Sequence, residues 1–273
     1  MSSTLTRDTL ETSFFLLLAT CYLLLATPAQ AQEFTFSRAL NDYTYTFDQY
    51  RLSHRQYQLK KNEYLKFGTL TSQTEAQTAT LDMLLKRDDV IRTYLTALRL
   101  KLAETPGTDP LDREALFARI DQEVNWLFQH QTKLQNTTSL AELSRVSQEL
   151  QTRYTTIQLL AYQSLTSILA GKQNGLRSQL QTHLQTLKSS VDQIRQSGES
   201  TQLLDRWLVQ AQQRLELSLE RQTAGEFTSQ KLTPQNRNLV QEFLNIEFTL
   251  KESHQYLKET LFSLQEIIKE IIT

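Results

Sequence analysis

The chain has 273 residues, and its 29 Lys and Arg against 30 Asp and Glu give a formal charge of −1. That balance gives no global attraction to nucleic acid or to an anionic membrane. One cysteine, six glycines and four prolines exclude a disulfide framework and a loop-rich fold, and they leave room for few, long elements.

Residues 14–26 form an uncharged apolar run, followed by Thr27-Pro28 and then Ala29-Gln30-Ala31. This is the order of a secretory signal, with Ala29 and Ala31 as the small residues before a cleavage point. As a helix the apolar run would span only about 20 Å, against roughly 30 Å of bilayer hydrocarbon, which favours cleavage after Ala31 over permanent anchoring. Arg7 is offset by Asp8 and Glu11, so the usual positive start is missing, and a retained N-terminal anchor is the alternative. Cleavage removes the only cysteine, Cys21, and leaves Lys and Arg equal to Asp and Glu at 28 each. No second apolar run is long enough to cross a bilayer, so the expected product is exported, periplasmic, cell-surface or extracellular, with no membrane span after cleavage.

Beyond the leader the pattern is all-α: an elongated helical bundle, or antiparallel coiled-coil hairpins, of about six helices. Helices are expected near 36–67, 71–104, 110–135, 139–197, 200–223 and 234–272. Residues 32–104 read as an N-terminal aromatic hairpin. Residues 105–273 read as a long-helix bundle that packs with it, the two together forming one continuous domain in the simplest case. Thr105-Pro106-Gly107-Thr108-Asp109-Pro110 is the clearest break, with Asp109 placed to cap a helix that starts at Pro110.

The first helix returns an aromatic ring every seventh position, through Phe36, Tyr43, Tyr50, Tyr57 and Tyr64. Seven residues are two turns of a slightly underwound helix, so the five rings lie along one narrow seam. The second helix continues with a coiled-coil spacing through Leu84, Asp88, Ile91, Leu95, Leu98 and Leu102. The fourth slips phase across Gly171 to Gly175, which predicts an unwinding or a bend. The last carries Leu239, Ile246, Leu250, Leu257, Leu261, Leu264 and Ile268, with Thr233 before Pro234 as its expected cap. Residues 51–67 are mainly basic and residues 241–273 mainly acidic, which predicts that the first helix packs near the last.

Candidate chemistry is sparse. His54, His130, His183 and His254 fall on four different helices, none is preceded three residues earlier by Glu, and no His-x-x-x-His pair exists. Neither a di-iron bundle centre nor a zinc site is therefore expected. No Gly-x-Ser-x-Gly turn occurs, and Gly171-Lys172-Gln173-Asn174-Gly175 lacks the Gly-Lys-Ser/Thr ending of a phosphate loop. Asp88, beside Asp89, is the one acid at a seam position, where a polar residue usually fixes register. Asn136-Thr137-Thr138 matches a glycan acceptor. No catalytic residue, cofactor or metal is expected.

The layout resembles the exported helical hairpins of envelope adaptors and the four-helix sensor domains of receptors, though no motif carries either likeness. The expected role is that of a non-enzymatic structural or protein-interaction module that engages a protein partner or itself through helical seams, with no nucleic acid. The alternative is a binding face for an anionic polysaccharide or similar polymer, formed by Tyr43, Tyr50, Tyr57 and Tyr64 with Arg51, Arg55, Lys60 and Lys61. There ring faces and point charges would act together. The competing role of those tyrosines is burial of their rings in the seam with hydroxyls at its rim. A helical enzyme of unrecognised type is the third reading.

Overall fold

The computed structural model describes residues 34–272. The leader, with Ala29 and Ala31, lies outside the described residues. Residues 36–273 form one compact unit. Among the described residues there are six α-helices and no strand: α1 Phe36–Phe67, α2 Leu70–Ala103, α3 Pro110–Gln135, α4 Leu140–Gln196, α5 Gln202–Lys231 and α6 Leu239–Ile272.

Local chemistry sets most of the boundaries. Gly68, at φ 61°, reverses the chain between α1 and α2, a conformation that costs a glycine little. Thr69 and Ser72 then cap α2 reciprocally. Asp109 accepts hydrogen bonds from the Leu111 and Asp112 amides at 2.9 and 3.0 Å, with Pro110 at the first helical position, as its sequence predicts. Ser139 caps α4 through the Glu142 amide.

Helix α4 is the spine. Its 57 residues run unbroken for about 85 Å at 1.5 Å per residue. Its first half packs with α2 and α3, its second half with α5 and α6, and α1 packs along α2. Leu95, Leu102, Ile120, Leu127, Leu150 and Ile157 build one core at the first half. Leu184, Val191, Leu208, Ala211, Leu257 and Ile267 build another at the second. Each fully buried Leu or Ile contributes about 1.5–3 kcal/mol relative to exposure.

Four sequence expectations are corrected. The phase slip near Gly171 does not unwind or interrupt the helix. It marks the place where α4 hands its buried stripe from one set of neighbours to the other, so Leu159, Leu160, Ala161, Ser164, Thr166 and Ile168 are all buried around its middle. Helix α5 does not stop at 223 but continues through Gly225 to Lys231. A β-carbon on Gly225 would lie 3.1 Å from Leu250 Cδ2, so the glycine serves close packing of α6 rather than a turn. Thr233 closes a turn with Asn236, and α6 starts at Leu239 with Asn238 bonding the Gln241 amide. The buried side of α6 includes Ser253, Thr260 and Ile267, whereas Leu261 and Ile268 are exposed.

The pairing of first and last helices is also not found. The backbone of α1 lies along α2, with side chains reaching α3 and α4, whereas α6 lies along α4 and α5. Exposed charge pairs contribute only about 0.2–1 kcal/mol each, too little to override the tight two-residue link that holds α1 against α2.

Candidate functional site

None of Tyr43, Tyr50, Tyr57 and Tyr64 is exposed; each is half-buried against its neighbours. The Tyr43 ring lies 5.4 Å from that of Tyr94, and one turn on, Thr46 and Thr93 share a 2.8 Å hydrogen bond. Tyr50 and Tyr57 pack on Met83, Leu84, Leu134, Leu143 and Val146, with His54 between their rings. These contacts favour the seam role over stacking on a polymer. Arg51 and Arg55 are exposed. Lys60 bridges Glu63 and Glu75 at 2.8 Å each, and these bonds hold its ammonium above the ordinary lysine range. Lys61 sits over the Tyr57 ring. Tyr57, Lys61 and Tyr64 meet Ser144, Ser147 and Gln148 of α4 around a cleft of about 410 Å³. The structure therefore brings together three of the eight residues proposed as a binding face.

A buried ionic pair joins α2 to α3. His130 Nδ1 lies 2.5 Å from Asp88 Oδ2, its Nε2 lies 2.9 Å from the Val146 carbonyl, and both side chains are fully buried. Each ring nitrogen faces an oxygen, an arrangement that the imidazolium form satisfies by donating from both. Burial alone would lower the His130 pKa, but the Asp88 and Val146 hydrogen bonds outweigh it and raise it. The Trp126 ring stacks on His130 at 4.8 Å, and Arg87 flanks Asp88 while donating to Ser147. The arrangement ties α2, α3 and α4 together at one buried point, at the seam position of Asp88. The long-range partner was invisible in the sequence, since His130 has no local signature.

A second polar junction ties the spine to α5 and α6. Arg177, only 8% exposed, donates to Asn174, Ser218 and Gln222 at 2.8–3.0 Å. Ser253 bonds both Gln173 and the Ser218 carbonyl, and Gln173 donates to the Leu250 carbonyl. Burial pulls the Arg177 guanidinium below its ordinary range, with Glu226 opposing that shift. Beside it, a cleft of about 530 Å³ opens between the start of α3, the middle of α4 and the end of α5, bordered by Asp109, Asp112, Arg119, Asn174 and Glu226. Burial raises the Glu226 carboxyl above its usual range. The loop before α3 forms one wall because two glycines meet there: a β-carbon on Gly171 would lie 2.5 Å from Thr108 Cγ2, and one on Gly107 2.5 Å from the Gly171 carbonyl. Gly171, read as part of a discarded phosphate-loop likeness, is thus a packing contact.

Large apolar side chains also face outward. On α1, Tyr45, Leu52 and Leu59 follow one another at seven-residue steps and are 67%, 50% and 51% exposed. On α6, Leu244, Phe248 and Phe262 are exposed. No group of three His, Cys, Asp or Glu side chains placed to hold a metal ion occurs among the described residues. No helix among them is long and apolar enough to cross a membrane.

Six helices on a shared spine, joined through two buried polar junctions and bearing outward apolar stripes, define an all-α helical bundle. Compared with known proteins, the chain matches no family model, no curated protein and no solved structure.

Proposed function

We propose that the chain is an exported, non-enzymatic helical module that engages another protein in the cell envelope or outside the cell. The outward stripe of Tyr45, Leu52 and Leu59 on α1 carries this reading. It repeats every seven residues, as a helical seam does, and nothing in the described chain covers it. Asp48, Gln49, Arg55 and Gln56 fall between these side chains, so the face offers three apolar anchors set among polar groups. Export rests on the apolar run 14–26 and its Ala29-Gln30-Ala31 sequel. The buried position of the Asp88–His130 pair, which a substrate cannot reach, agrees with a structural role for that couple.

The test is capture from the envelope fraction of the source organism with tagged residues 32–273, in parallel with a Leu52→Asp/Leu59→Asp variant. The native surface should retain a defined partner that the variant loses, while the two have the same helical circular dichroism. Capture of the same set by both, or of nothing by either, refutes the reading. Mass spectrometry of the secreted product should place its first residue at Gln32; an intact leader on a protein found only inside the cell would refute export.

A further inference from the structure

Two helices of this chain carry outward stripes of the same period and opposite charge, and the fold keeps them apart. On α1, Tyr45, Leu52 and Leu59 cover fourteen residues in two steps of seven; on α6, Phe248, Gln255 and Phe262 do the same. All six are exposed, the two phenylalanines at 63% each. Each stripe is therefore about 21 Å long, the length of four helical turns, so the two can lie alongside one another over their full length. α1 holds six basic and three acidic side chains, and α6 three basic and six acidic.

Part of this charge is uncommitted among the described residues. Arg55, Lys61 and Lys66 on α1 make no ion pair among the described residues, nor do Glu242, Glu252 and Glu270 on α6. Arg55 stands three residues after Leu52 and Glu252 four residues after Phe248, so each flanks its stripe. α1 packs along α2 and reaches α3 and α4 through its tyrosine side, and α6 packs on α4 and α5, so the two helices do not meet. The complement of each face is therefore not met inside one molecule.

We propose that α1 of one copy docks along α6 of a second copy, with Tyr45, Leu52 and Leu59 against Phe248 and Phe262 and the basic flank of α1 along the glutamates of α6. The proposal rests on the interaction-module reading and names its partner. A lipid surface fits α1 less well, because Asp48, Arg51 and Arg55 lie between its apolar stripes and would be drawn toward hydrocarbon. The contact joins unlike faces. It either closes when two copies exchange both contacts or propagates head to tail.

Light scattering coupled to size exclusion, on residues 32–273 across a wide concentration range, tests it. Mass should rise above that of one chain with concentration and fall with added salt, which screens the flanking charges. Leu52→Asp and Phe248→Asp alter exposed positions and leave helicity unchanged; each should raise the dissociation constant at least about tenfold, as loss of a central apolar anchor does. Mixing the two variants is decisive. The first retains an intact α6 face and the second an intact α1 face, so the mixture regains a two-copy species that neither forms alone. Zero-length carboxyl–amine cross-linking of mixed light and heavy isotope copies should join Lys61 or Lys66 to glutamates of α6 between copies. A single-chain mass at every concentration overturns the proposal, as does persistent self-association of Phe248→Asp alone, which would mean α1 against α1. Binding to anionic vesicles by a protein that is otherwise monomeric also overturns it. A monomer that still captures a different protein through Leu52 and Leu59 would refute the second copy and keep the module.

Discussion

Replacement of Asp88 by asparagine preserves shape and removes one charge from a fully enclosed pair. The remaining imidazole then faces the Val146 carbonyl at 2.9 Å and an amide in place of the carboxylate at 2.5 Å. Either it stays charged without a counter-ion, or it releases its proton and turns a lone pair toward one of the two oxygens. Breaking a buried pair by removing one partner costs about 3–5 kcal/mol, and a charge-assisted hydrogen bond contributes about 1.5–3 kcal/mol. The two ranges meet near 3 kcal/mol. With roughly 2–4 °C per kcal/mol for a chain of this size, Asp88→Asn should lower Tm by about 6–12 °C. Urea unfolding followed by circular dichroism should show a lower midpoint with an unchanged slope. Asp88→Leu with His130→Phe removes both charges, keeps a ring on Trp126, and should recover most of the loss. The pH dependence has a fixed sign. The folded pKa of His130 is raised, so its contribution is complete below about 6.5, the unfolded value, and is lost as pH climbs through the folded value. The stability difference between wild type and His130→Phe should therefore shrink with rising pH across that window. A cost below about 1 kcal/mol for Asp88→Asn, or a difference that grows with pH, would refute the assigned imidazolium.

Two glycines on the spine should respond oppositely to alanine. Gly171→Ala pushes a methyl to 2.5 Å from Thr108 and should cost about 1–3 kcal/mol by overpacking. Gly175→Ala, with no atom within 4 Å, should stabilise by about 0.4–1 kcal/mol. Chemical denaturation of both reads the contrast, and equal effects would remove the close approach of loop to spine. Arg177→Met should cost about 1–3 kcal/mol, because Gln222 Oε1 loses its charged donor in a buried site. A neutral result in the same assay would mean that the junction contributes register and not stability.

Much of the scaffold could be read from residue order. The six helices, the Asp109 cap and the seam position of Asp88 all follow from local signals that act within a few turns. The misreadings share one cause: two different demands were carried by one residue type. The fifth helix is expected to end at 223, yet it runs on through Gly225, which admits Leu250. The slip near Gly171 looked like a local unwinding because a single seam was assumed, whereas α4 serves two. The opposite charges of α1 and α6 were visible, but their separation depends on which helix α2 shields, a property of the whole packing. The pairing of His130 with Asp88 and the outward stripe behind the tyrosines were hidden for the same reason. A heptad repeat reveals that a face is used and not which neighbour uses it.

The continuous α4 has a mechanical consequence. Its backbone ladder passes through both cores without interruption, so tension or torsion applied at one end should be delivered to the other. Neither half possesses a seam where the polypeptide could be severed without stripping cover from its sibling. The two halves should consequently melt as a single cooperative block, and a blow to either will be felt as a softening of both.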